Sequence, residues 1–345
     1  MSEVKRARIQ DVAELAGVSN MTVSRVLNNE AKVSEDKRKK VLDAVKALNY
    51  RPNVSARRLA SSKSFFIGLV YTDLPASYVS SFLLGALKTC RSKGYHLIVD
   101  EYLPDNKTAS LSSINELIDV TRVDGIILLP PISDNEDVLA LLQKANIPYV
   151  RVAPDARLDI APYVCIDDYN AAYKATEQLI KQGHSKIAHI IGSDAQGASR
   201  LRYQGFLDAL RSNQISVPPS YIVQGQFTYQ SGVEAGEQLM SLDDKPTAIF
   251  AANDEMAAGV LTAAHKKRIN IPDEISVVGF DDTTLATTVS PHLTTVRQPI
   301  DAMAVLAVEL LASGKFSDGK PESPGEYRHV LDFEFIQRES SQVIK

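Results

Sequence analysis

Apolar residues in the first fifty positions recur at helical spacing. Ile9, Val12, Ala13, Leu15 and Ala16 share one face of a short helix, and Gly17 offers the positive φ at which helices commonly end. Ser19 or Asn20 can cap a second helix whose Val23, Val26 and Leu27 pack back on the first. Ser34, Glu35 and Asp36 open a third, with Val41, Leu42, Val45 and Leu48 as its apolar stripe before Asn49 and Pro52 end it. From Phe65 the period changes. Short β-rich runs (FFIGLVY, HLIVDE, GIILL, YVRV) alternate with helical patterns near 80–93, 109–121 and 137–145. A second series (VCI, IAHII, YIV, AIFAA, SVVGF) alternates with helices near 170–182, 199–212, 229–241 and 254–268. Such βαβ repetition predicts parallel sheets, here two doubly wound lobes behind a small all-α head.

Composition adds limits rather than a function. In 345 residues, 44% apolar and 23% charged positions exclude a mainly disordered chain. No apolar run approaches the roughly 20 residues a bilayer requires. The basic N-terminus lacks an apolar h-region, so the expected location is the cytoplasm, with no membrane partner. Cys90 and Cys165 have no CxxC or His partners at ligand spacing and read as reduced core thiols, so no metal is expected. Charge, counted by segment, is more telling. Residues 1–63 hold 14 Lys and Arg against 7 Asp and Glu, whereas the remainder holds 24 against 35. A basic head on an acidic body suits a polyanion.

Helix, Gly-containing turn and helix make a DNA-reading unit whose second helix enters the major groove. Asn20, Met21, Thr22, Ser24 and Arg25 are then the residues able to reach base edges. Arg25 suits guanine, Asn20 adenine, and Met21 a thymine methyl. Asn53 to Ala60 is too short for a stable isolated helix, so it is either a flexible basic linker or a segment ordered by a partner copy and DNA. In the second case Asn53 caps it, Ala56 and Leu59 form an apolar wedge for a minor-groove base step, and Arg57 and Arg58 face phosphate. The expected domains are 1–50 (helix-turn-helix), 51–63 (hinge) and 64–345 (effector binding and dimerisation). Within the body, one lobe is expected at about 64–162 and 291–323, the other at about 163–290 and 324–345.

Ligands of open α/β sheets sit beyond the carboxyl ends of the strands. Those ends deliver Thr72, Asp73 and Tyr78, the Gly192 loop with Arg202, Asn253 with Asp254, and Asp281 with Asp282. Carboxylates, an amide, a guanidinium and aromatics suit a small, polar, hydroxyl-rich ligand. Each residue also has a plainer reading: the Asp and Asn residues as helix caps, Phe227 as core.

IQDVAELAGVSNMTVSRVLNN followed by LNYRPNVSARRLA resembles the DNA-binding head and hinge of the LacI/GalR family of bacterial transcription regulators, and the likeness continues to about Glu339. The resemblance implies a type I periplasmic-binding-protein-like body, a homodimer on a pseudo-palindromic double-stranded operator, Leu59 as the wedge, and a repressor role. SRLRYQGF puts Arg202 at the effector arginine, FAANDEMAAG places Asn253, VVGFDD places Asp281, and QFTYQSG puts Phe227 at a stacking aromatic. Tyr78 follows less closely, and Arg151 and Asp155 in YVRVAPD are candidate extra contacts. A sugar or sugar derivative is the first expectation for the effector, a purine or nucleoside the second. No catalytic residue or cofactor is expected. The strand–loop–helix at Gly192–Ser199 has Ala198 where a P-loop needs Lys, and no GxSxG or HExxH occurs. A periplasmic sugar-binding protein would fit the body but not the basic head.

Overall fold

The computed structural model describes residues 7–27, 33–50, 63–72, 74–314 and 328–344. The chain divides into two compact units, Met1–Ser64 and Phe65–Lys345. In the first, α1 (Ile9–Ala16), α2 (Asn20–Leu27) and α3 (Glu35–Ala47) enclose Val12, Ala13, Ala16, Val23, Val26, Val41 and Ala44. Gly17 has φ 65° and ends α1. Two expected core residues point outward: Leu15 is 57% exposed and Leu42 44%. At 100° per residue both fall roughly 110° from the centre of their helix's buried arc, which Ala44 fills in α3.

The second unit contains two sheets. The first has the order β11-β5-β4-β3-β1-β2, from β1 (Phe66–Tyr71), β2 (His96–Glu101), β3 (Gly125–Leu128), β4 (Tyr149–Val152), β5 (Tyr163–Ile166) and β11 (Arg328–Leu331). The second has the order β12-β10-β9-β8-β6-β7, from β6 (Ile187–Ile191), β7 (Ile222–Gln224), β8 (Ala248–Ala251), β9 (Ser276–Asp281), β10 (Thr294–Arg297) and β12 (Glu334–Ile336). Pairing is parallel except between β10 and β12. β3, β4, β8 and β9 are buried along their whole length, as expected of parallel strands with both faces covered. The covering helices are α4 (Ala76–Ser92), α5 (Lys107–Glu116), α6 (Glu136–Lys144), α7 (Asp168–Lys181), α8 (Gly197–Ser212), α9 (Tyr229–Leu239), α10 (Asp254–Lys267) and α11 (Ile300–Ser313). A π-helical turn, Leu117–Thr121, continues α5.

The expected lobe boundaries need correction at three places. Residues 163–166 pair with β4 in the first sheet, 294–297 pair with β9 in the second, and 328–331 pair with β5 in the first. The chain thus crosses between Ile166 and Asp168, between Arg297 and Ile300, and between Leu331 and Glu334. A four-residue strand carries no local mark of which sheet it joins, because its partners are remote in sequence. Among the described residues no helix is long and apolar enough to cross a membrane.

Candidate functional site

Apart from the added flanking strands, both sheets follow a 2-1-3-4-5 order, so the switch points lie where β1 meets β3 and β6 meets β8. A cleft opens there, with about 440 Å³ of empty space including its mouth. The first lobe contributes Leu74, Pro75, Tyr78, Pro130 and Ala153; the second contributes Asp168, Arg202, Phe227, Asn253, Asp281 and Gln298, with Gln196 and Ala198 beside them.

Arg202 organises the polar side. Its Nε donates to Asp168 Oδ1 at 2.8 Å and its Nη1 to the Ala252 carbonyl at 2.6 Å. Nη1 also lies 3.9 Å from Asp281 Oδ1. The guanidinium carbon stands 3.6 Å from the Phe280 ring centre and 5.8 Å from that of Phe227. Asp281 ends β9 with φ 116° and accepts from Gln298 Nε2 at 2.6 Å. Burial pushes its carboxyl up to about 7, with Arg202 and the Gln298 hydrogen bond opposing and Asp168 and Glu255 reinforcing. Burial, then the Asp281 charge, likewise raises Asp254, whose oxygens accept from Thr295 Oγ1 at 2.6 Å and the Thr283 N–H at 2.9 Å. Burial and the Asp281 and Asp168 carboxylates push the Tyr78 phenol upward.

Tyr78 follows the first strand ahead of the helix expected near 80–93; it lies in the first turn of α4, because that helix begins at Ala76. Asn253 caps α10, its Oδ1 accepting from the Met256 N–H at 2.9 Å, while its Nδ2 donates to the Phe227 carbonyl at 2.9 Å. The cap reading of Asn253 therefore holds alongside its place in the cleft. Phe227 is held at φ 60° with its ring over Gly192, where an added methyl would overlap it. Asp282 neither caps a helix nor faces the cleft: Arg297 Nε and Arg338 Nη2 donate to it at 2.7 and 2.6 Å. Thr72 donates to the Tyr102 carbonyl at 2.7 Å. Arg151 is fully buried among protein partners rather than offered to a ligand. Asp73 lies outside the described residues.

Asp168 and Gln298 are among the cleft residues that were not anticipated. Each follows a strand, β5 and β10, so the rule that found Arg202 and Asp281 also reaches them once those strands are correctly placed. Among the described residues no group of His, Cys, Asp and Glu is arranged to hold a metal ion.

In the head, Ser19 Oγ accepts from the Thr22 N–H at 3.3 Å and caps α2. Asn20, Met21 and Arg25 are exposed on that helix, and Thr22 and Ser24 half-exposed. Asn53, Ala56, Arg57 and Leu59 lie outside the described residues.

Residues 8–53 match the family described as bacterial regulatory proteins, lacI family, and residues 176–341 match the periplasmic binding protein-like domain. Over 326 residues, 94% of this chain and 97% of the relative, the sequence is 35% identical to catabolite control protein A of Priestia megaterium. The chain belongs to the lacI family. It is a DNA-binding transcriptional regulator. The probable HTH-type transcriptional repressor ExuR of Bacillus subtilis (strain 168) is 35% identical over 96% of this chain and 97% of that relative. Among solved structures, the complex of the transcriptional regulator CelR with cellobiose superposes with TM-score 0.72 at 29% identity, covering 97% of this lacI-family chain and all of the other. The lac repressor dimer bound to operator and the anti-inducer ONPF gives 0.74 at 28% identity, covering 98% of this chain and all of that one.

Proposed function

We propose that this lacI-family regulator is a repressor whose cleft binds an uncharged, hydroxyl-rich molecule, a sugar or sugar derivative, and whose operator affinity changes on binding. The carrying observation is the Arg202 guanidinium, buried between Asp168 and Asp281. Asp168 already balances its charge and Asp281 adds a second carboxyl group beside it, so the described lining leaves no surplus cation for a strongly anionic ligand. Hydroxyls both donate and accept, which suits a wall presenting a guanidinium, carboxylates and amides together. Asn253 keeps one amide proton and one lone pair beyond the two it uses within the fold. Tyr78 and Phe227 flank the polar groups and suit the apolar face of a sugar ring. The cellobiose in the CelR complex is in keeping with this reading.

On the DNA side, the reading assigns base contacts to Asn20, Met21, Thr22, Ser24 and Arg25, with a homodimer presenting two heads to a pseudo-palindromic operator in the cytoplasm. The role is binding and not catalysis. The test is a thermal-shift screen of the full-length protein against neutral sugars, sugar acids and nucleosides. A true ligand at a hundred times its Kd stabilises by about 2.7 kcal/mol. Stabilisation by a neutral sugar, with altered binding to a sequence recovered by unbiased selection from random duplexes, is expected. Stabilisation by nucleosides alone would replace the sugar, and the absence of any duplex preference would end the reading.

A further inference from the structure

A rigid corner of the first lobe rests on a helix of the second. The fully buried Arg151 donates to the carbonyls of Ser133, Ala156 and Arg157 at 2.6, 2.6 and 2.7 Å, and to Asp134 Oδ1 at 2.5 Å. Asp134 in turn accepts the backbone N–H groups of Asp155 and Ala156 at 2.8 and 3.1 Å. The loop after β4 is thus held by a buried cation and a carboxylate together, and Asp155 is presented in one place.

That place is the start of α8. A methyl added to Gly197 would overlap the Asp155 carboxylate, and Arg200 Nη2 donates to Asp155 Oδ1. Gln196 gives α8 no side-chain cap, so the carboxylate at this helix N-terminus comes from the opposite lobe, where the helix dipole favours it. The same helix carries Arg202. On the other flank of the cleft, Ser77 in the first turn of α4 donates to Glu255 Oε1 in the first turn of α10 at 2.9 Å, a second contact between lobes. Tyr78 adjoins the first of these residues, and Asn253 caps the helix of the second.

We propose that the Asp155–Arg200 pair is an interlobe latch, and that Asp155 is a positioning residue through which closure of the cleft orients the helix bearing Arg202. Arg200 remains 66% exposed, and exposed ion pairs are weak, so the latch is reversible. A weak contact suffices where two arrangements of a body lie close in free energy. The Arg151–Asp134 platform supplies the stiffness that the pair lacks. Gly197 allows the close approach.

Hydrogen exchange of the full-length chain, followed by mass spectrometry, tests this without a ligand, so its failure leaves the effector reading standing. Asp155→Ala and Arg200→Ala are each expected to speed exchange several-fold in both facing segments, residues 153–157 and 196–203, which belong to different lobes. The double variant should exchange no faster than either single one, because one interaction is removed in all three. Arg200→Lys should restore most of the protection. Unchanged exchange in β6 and β8 separates a released latch from a loosened fold. Acceleration confined to 153–157, or single effects that add in the double variant, would overturn the proposal.

Discussion

Arg202 and Asp168 form a buried ion pair, 2.8 Å from Nε to Oδ1, between the second turn of α8 and the first residue of α7. Asp168 stands immediately after the first crossing between the lobes. The cleft-lining arginine is therefore braced by a residue placed where the chain passes from one lobe to the other.

Arg202→Ala leaves the Asp168 charge buried without its partner, and the expected loss is about 3–5 kcal/mol of unfolding free energy. The pair Arg202→Ala with Asp168→Ala should lose less than the two single changes added together. Chemical denaturation measures both. Effector response should vanish in each variant that folds, with operator affinity largely kept.

Burial lifts the Asp281 carboxyl from 3.8 to about 7. Between those values the folded chain keeps a proton that the unfolded chain has released, so stability falls as pH rises through this window and is level above it. Asp281→Asn is neutral throughout and can still accept from Gln298. Its stability relative to the parent should therefore be greater at pH 8 than at pH 5. Denaturant unfolding at the two pH values decides, and an equal difference at both would refute the buried proton.

Gly192→Ala puts a methyl where the Phe227 ring lies. Displacing a packed ring costs about 1–3 kcal/mol. The variant is expected to unfold earlier and to need more ligand for the same operator response, because Phe227 also borders the cleft. Unaltered ligand dependence in a folded variant would take Phe227 out of the site.

Arg25→Ala should relax base preference at one position of each half-site by about 1–3 kcal/mol. Competition between the selected sequence and random duplex reads this directly. Equal weakening on both would make Arg25 a phosphate contact.

The pattern of apolar positions revealed helices to within a few residues and pointed to Arg202, Asn253 and Asp281 as neighbours, because strand ends in a doubly wound sheet share one edge. It did not reveal Asp168 or Gln298, since β5 and β10 take their sheet from pairings distant in sequence. Nor could it place Arg151. Arginine is rarely fully buried, and only the carbonyls of Ser133, Ala156 and Arg157 together with Asp134 explain its position. Leu15 and Leu42 erred for a simpler reason: apolar residues at the margin of a helical stripe can face solvent.

The triple exchange of strands bears on how the protein is made. β11 joins β5 only after about 160 further residues, Arg328 lying opposite Tyr163, and β12 closes on β10 later still. Neither sheet is complete while the ribosome is still adding the last helix, so the body cannot finish folding lobe by lobe as an emerging chain of consecutive domains does. A chain released early would carry open strand edges in both halves at once, and such edges favour aggregation.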